Sequence, residues 1–286
     1  MRYAISSWIY PDEPFTEIFG RLTRFGYDAV ELVGEPEKLS TKELRPLLDD
    51  TNLQVSSVLT WCIWGIAGRD MASPDGKERE AALTYGKRCV DLAKELGAPI
   101  VVVLPAPAGR TAPIGQPSDP EDWKKAKETE WKFAVETIQR LAEYARSLEI
   151  ILALEPINRY ESYLVTDLDT ALKFLSDVGA PNLKIHLDTF HMNIEETNLP
   201  QAIRRAGDLL VNMHVSDSNR QPPGRGHTDF PSLLQALEDI GYRGYLVLEP
   251  VPPGSDPLLM VKMPENRPLR DLYAQEAIQY LKGIEK

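Results

Sequence analysis

Cysteine is scarce in this chain of 286 residues: Cys62 and Cys89 are the only two. They form no C-x-x-C pair, which excludes a disulfide-stapled fold and a thiolate zinc site. Two reduced thiols fit a cytoplasmic protein. Histidine is also sparse, and His186, His191, His214 and His227 all lie in the second half. Long apolar runs are missing. No stretch approaches the roughly 18 apolar residues of a membrane span. The N-terminus, "MRYAISSWIY", lacks the apolar core of a secretory leader. Positive charge is in deficit, with 32 Lys and Arg against 43 Asp and Glu, a net charge of -11 and a pI near 5.0. Such a surface repels phosphate backbones and argues against a nucleic-acid partner. Glycine is absent from "SSWIYPDEP", the turn after the first apolar strand, where a dinucleotide-binding sheet would need it. The one Gly-rich loop late in the chain, "PPGRGHTDF" (222–230), has no G-K-[ST] ending and is not a nucleotide P-loop.

What is present is a regular alternation of short apolar runs and longer amphipathic stretches. Strands are expected at 2–8, 29–33, 53–60, 99–105, 149–155, 183–188, 209–215 and 244–250. Helical spacing fills 14–26, 40–51, 75–97, 120–147, 167–179, 199–207, 229–241 and 268–284. Ser40 reads as an N-cap, and Gly26 and Gly97 as helix stops. Unbroken alternation implies a parallel sheet with helical crossovers. Eight units in a chain of this length predict one α/β domain over 1–286, a (β/α)8 TIM barrel. A doubly wound open sheet is the alternative. Three strand-to-helix loops are long: 61–74, 106–119 and 250–267. In a barrel they crowd the C-terminal rim, where such loops act as lids or binding walls.

The last four strands share one feature. They end in Glu155, Asp188, His214 and Glu249 respectively. In a closed barrel these strands are neighbours, so three carboxylates and one imidazole surround one point. Carboxylates that close repel one another unless a cation lies between them. This donor set is rich in oxygen and suits one divalent ion: Mn²⁺ first, with Mg²⁺ or Co²⁺ as alternatives.

The stretches "LEPINRYESY", "HLDTFHMNIEE", "MHVSDSNRQPPGRGHTDF" and "LVLEP" together resemble the sugar isomerase/epimerase superfamily of xylose-isomerase-like barrels, within it the D-tagatose and D-psicose 3-epimerase branch. The first half resembles it more loosely, through "DMASPDGKEREAALTYGKRCVDLAKELGA". The resemblance implies that Glu155, Asp188, His214 and Glu249 hold the metal and that Glu155 and Glu249 are the catalytic acid/base pair. It implies that Glu161, His191 and Arg220 bind the oxygens at the head of a ketose. The implied reaction is inversion of C3 of a free ketose through a metal-bound enediolate. Glu155 and Glu249 stand three strands apart, so one takes the proton from one face and the other returns it from the opposite face. Trp61 and Trp64, on the first long loop, are expected to wall the sugar site. Other isomerases of the superfamily, acting between aldose and ketose, on hydroxypyruvate or on inososes, share the ligands and stay open as alternatives. An apurinic endonuclease would need histidines from the first half, which has none. A non-catalytic sugar-binding barrel would be favoured by loss of a ligand, and none is lost. The expected partner is a small sugar; a dimer or tetramer is compatible with the pattern.

Overall fold

In the computed structural model, which describes residues 1–285, eight parallel strands close on one another in chain order. They are β1 (Arg2–Ser6), β2 (Ala29–Gly34), β3 (Gln54–Thr60), β4 (Ile100–Val103), β5 (Ile151–Leu154), β6 (Leu183–Asp188), β7 (Leu210–Val215) and β8 (Tyr245–Leu248). The last strand pairs with the first, Ala4 opposite Val247, so no edge is left. The fold is the expected TIM barrel. The open-sheet alternative is excluded by closure and by the sequential strand order.

Strand periodicity explains where the polar groups go. Side chains two apart share a face. Ala4, Ala29, Tyr245 and Val247 form a buried cluster separate from the main core. They fill the lower barrel interior. Two residues further along those strands stand Ser6, Glu31 and Glu249, on the same inward face. Leu152 and Leu154 flank the inward Ala153 and belong to the main core, under the helices. A strand buried on both faces thus reads as an apolar run, and its polar inward residue declares itself only at the end.

The helices follow the sequence pattern with small differences. Gly97 closes the helix Gly76–Leu96 in the left-handed region, φ 75°, and donates its N–H to the Ala93 and Lys94 carbonyls. Ser40 occupies the N-cap of Thr41–Thr51, but its side chain makes no capping bond. Its backbone carbonyl accepts from Glu43 and Leu44 instead. Asp75, Asp119 and Asp167 do cap with their carboxylates. Residues 250–267 are not featureless: they contain the short helix Pro257–Met260 and a single 3-10 turn, Pro264–Asn266. A further helix, Thr189–Glu195, leaves β6 directly with Asp188 as its N-cap.

The rim loops are tied to one another. Isolated parallel bridges join Ile63 to Ala108 and Arg110 to Ser162. Beneath them Arg110, itself buried, donates to Glu130 at 2.5 Å and to Asp70 at 3.0 Å. The Tyr163 hydroxyl donates to the same Glu130. This buried cluster clamps three loops and one long helix over the barrel mouth.

Candidate active site

The four strand ends meet. His214 sits between β6 and β8, with Asp188 and Val247 as its register partners. Its Nδ1 lies 3.2 Å from Glu155 Oε1 and 3.4 Å from Glu249 Oε2. Asp188 is linked through Arg220, which donates from Nη1 to Asp188 at 2.6 Å and from Nη2 to Glu249 at 3.2 Å. Arg220 holds this position with φ 64°, a left-handed backbone conformation uncommon outside glycine. Asp188 also accepts the Phe190 N–H at 2.8 Å. All four strand-end residues are buried.

The electrostatics point one way. Burial pushes the Glu249 carboxyl up to about 7, against the pull of His214 and Arg220. Burial works to lower the His214 imidazole, yet Glu249, Glu31 and Glu155 together hold it well above its ordinary value. Burial also opposes ionisation of Asp188, but Arg220, His191 and His214 outweigh it and keep this carboxyl well below the usual range. Glu31, Glu155, Asp188 and Glu249 are all buried around the Arg220 guanidinium and the His214 imidazole. Even with the imidazole protonated, negative charge stays in excess, which a dry interior does not tolerate. A single divalent cation would supply the balance, and the oxygen-rich donor set fits one. Three overlapping groups bring ligand atoms within 4.8 Å of one another: Glu155 with His186 and His214, Glu31 with His214 and Glu249, and Glu155 with Asp188 and His191. These buried residues can hold a metal ion.

Above the charged floor opens a cavity of about 710 Å³. Glu161, His191 and Arg220 line it, as does Trp61. All three long loops contribute: Cys62 and Ile63 from the first, Ala108 and Gly109 from the second, Ser255, Asp256 and Leu258 from the third. Asn158 orients two of the polar residues. Its amide donates to Glu161 Oε1 at 2.9 Å and meets His191 Nδ1 at 2.7 Å, while its oxygen accepts the Tyr160 N–H. An amide N–H₂ can only donate, so His191 accepts on Nδ1 and carries its proton on Nε2, 3.5 Å from Asp188. Trp64 is placed elsewhere. It is 51% exposed, outside the cavity wall, with the Arg110 guanidinium 5.6 Å from its ring. Its loop turns outward after Ile63, whose bridge to Ala108 ends the wall.

Besides Asn158, three further residues of the site carry no motif in the sequence that singles them out as strand-end ligands. Trp8, just past β1, donates from Nε1 to Glu249 Oε1 at 2.6 Å. Glu31, in mid-β2, meets His214 Nε2 at 2.9 Å. His186 packs its ring edge-on to His214, centroids 4.0 Å apart. For Glu31 a signal existed: in "AVELV" a carboxylate interrupts an apolar run, as Glu155 does at the end of "ILALE".

Comparison with known proteins agrees with this geometry. The chain is 31% identical over 236 residues to the D-psicose 3-epimerase of Ruminiclostridium cellulolyticum, covering 80% of this chain and 76% of that one. A 44% identical match to the D-psicose 3-epimerase of Enterocloster bolteae spans only 41% of this chain and 39% of that protein. A 3-dehydro-D-guloside 4-epimerase of Escherichia coli matches at 28% identity over 87% of this chain and 92% of its own length. Among solved structures, D-psicose 3-epimerase of Clostridium cellulolyticum H10, crystallised with D-tagatose, superimposes with a TM-score of 0.86 at 25% identity, covering 99% of both chains. The model of the xylose isomerase-like TIM barrel family matches residues 19–283. With its closed eight-stranded barrel and its acidic, histidine-centred floor, the chain belongs to the xylose isomerase-like TIM barrel family.

Proposed function

We propose that this protein is a metal-dependent ketose 3-epimerase acting on an unphosphorylated sugar. The observation that carries the reading is the placement of Glu155 and Glu249. From strands three apart they approach the same nitrogen of His214, at the floor of a sugar-sized cavity. Glu155, Asp188, His214 and Glu249 are the proposed metal ligands, with Mn²⁺ first and Mg²⁺ or Co²⁺ as alternatives. Once bound there, the cation would offset the negative charge that develops on the sugar's carbonyl and neighbouring hydroxyl oxygens.

The protein's own groups do the rest. Glu161, His191 and Arg220 grip the oxygens at the head of the ketose. Trp61, Ile63 and Leu258 present apolar surface to the remainder. One carboxylate of the Glu155/Glu249 pair removes the C3 proton. The other delivers a proton to the opposite face, which inverts the centre. The absence of a phosphate on the substrate is supported by charge: among the described residues Arg220 is the one Lys or Arg side chain lining the cavity, and it already pairs with Asp188 and Glu249. The buried, unpaired Cys62 and Cys89 are consistent with a cytoplasmic enzyme.

A second reading is favoured by the length of the match to the Escherichia coli 4-epimerase. The same base pair would then invert C4 beside a C3 carbonyl. The test is a chromatographic screen of free ketoses and 3-keto sugars with added Mn²⁺. A new C3 epimer is the expected result. An aldose product would establish aldose–ketose isomerisation instead, and turnover of 3-keto sugars alone would establish the second reading.

A further inference from the structure

Glu31 lies in the middle of β2, fully buried, and is not one of the strand-end residues. One of its carboxylate oxygens meets His214 Nε2 at 2.9 Å. The other accepts from Ser57 Oγ at 2.7 Å, and Ser57 in turn accepts from Asn212 at 3.2 Å. Asn212 is on the same strand as His214, two residues before it, so the bonds form a ring through β7, β3 and β2.

From this ring we infer that Glu31 is a positioning residue which fixes the tautomer and the rotation of His214 and so presents its Nδ1 to the cation. The inference rests on the metal site proposed above. An imidazole ligates through one proton-free nitrogen, and its other N–H is commonly held by a carboxylate. Here the two nitrogens have different surroundings. Nδ1 faces Glu155 and Glu249, whereas Nε2 faces Glu31. An ionised Glu31 can only accept, so Nε2 keeps its hydrogen, and Nδ1, the nitrogen that faces the proposed ligands Glu155 and Glu249, is the one that would give up its proton to a cation. Stability does not explain the choice of residue. A buried carboxylate is costly even when paired, and Glu31 adds to the excess negative charge of the floor, which an apolar side chain of similar volume would lower. Such a side chain would leave Nε2 without an acceptor and the ring free to turn.

The test compares wild type, Glu31→Gln and Glu31→Leu by titration calorimetry with Mn²⁺ and by melting of the metal-free proteins. The amide oxygen of Gln can still accept from Nε2, without the charge, so it should rescue part of the effect. Expected is a loss of Mn²⁺ affinity of about 10–100-fold in Glu31→Leu, as for other outer-shell partners of metal-bound histidines. Glu31→Gln should fall between it and wild type, and neither metal-free Tm should drop in step. Wild-type affinity in Glu31→Leu would overturn the inference, and so would affinities that merely track metal-free Tm. If wild type binds Mn²⁺ but epimerises no sugar, the functional reading fails while the role of Glu31 is still decided by the titration. If wild type binds no Mn²⁺, both fall. Should Glu31→Leu not fold, the Glu31→Gln titration decides alone, with unchanged affinity counting against.

Discussion

Glu249 takes hydrogen bonds from two elements: Trp8 Nε1 donates to one oxygen and Arg220 to the other. Donors to an ionised carboxylate favour that form. Trp8→Phe removes one of them while keeping an aromatic ring, so the Glu249 carboxyl should rise relative to its wild-type value. A base must be deprotonated to act. The acid limb of the kcat/KM profile should therefore move to higher pH in this variant, and a profile unchanged from wild type would remove Trp8 from the site. Substituting either carboxylate has a larger effect. Glu155→Gln and Glu249→Gln each keep a ligand oxygen yet lose the proton carrier, and should lower kcat by about 10²–10⁴-fold. Activity assays at saturating Mn²⁺ separate this loss from loss of metal. At this scale the sequence was legible where the polar residue ended its strand, as at Glu155, Asp188, His214 and Glu249. It was harder to read where the residue lay mid-strand, as at His186 and at Glu31, whose break in an apolar run was the one local signal, because the closed barrel shows which face of β2 and β6 turns inward.

At the scale of elements, the rim is held by a buried cluster rather than by regular structure. Arg110 neutralises Asp70 and Glu130 beneath the loops, and its removal would leave both carboxylates buried without a cationic partner. Arg110→Met should cost about 3–5 kcal/mol at neutral pH, measurable by urea unfolding. A loss below about 1 kcal/mol, the value of an exposed pair, would show that the cluster does not hold the rim. Asp70 adds a pH dependence. Burial raises its carboxyl from 3.8 to about 6, despite Arg110 nearby. The folded state thus binds this proton more tightly than the unfolded chain. Stability from this group is present below about pH 4 and is lost as pH rises to about 6, by an amount on the order of 3 kcal/mol. Asp70→Asn should flatten that slope in unfolding curves taken across the interval. None of this was legible beforehand. The three loops stood out by length and composition, and their rim position followed from the barrel. The cross-bridges run between the first two loops and from the second to Ser162, residues far apart in the chain, and no local pattern marks Arg110 as the link. The outward turn after Ile63, which carries Trp64 away from the cavity, is hidden for the same reason.

At the scale of the whole molecule, topology was the most legible feature. Apolar runs buried on both faces, spaced by amphipathic helices, leave a closed parallel barrel as the compact solution, and closure brings β5 to β8 side by side. The excess of negative charge on the barrel floor then links metal binding to folding. A cation that binds only the native state at 100 times its Kd stabilises by about 2.7 kcal/mol. For a chain of this size that should raise Tm by several degrees. Melting with and without Mn²⁺ should show this shift in wild type and lose most of it in His214→Ala. Equal shifts in the two would place the ion elsewhere.

The central claim is that Glu155 and Glu249 exchange a proton at the carbon beside a sugar carbonyl. It is tested most directly by running the Mn²⁺-loaded protein with a free ketose in D₂O and locating the label by NMR. Deuterium should appear at C3 of a product that is the C3 epimer. Deuterium at C1 or C2 of an aldose, or no incorporation into any ketose at full metal occupancy, would contradict it.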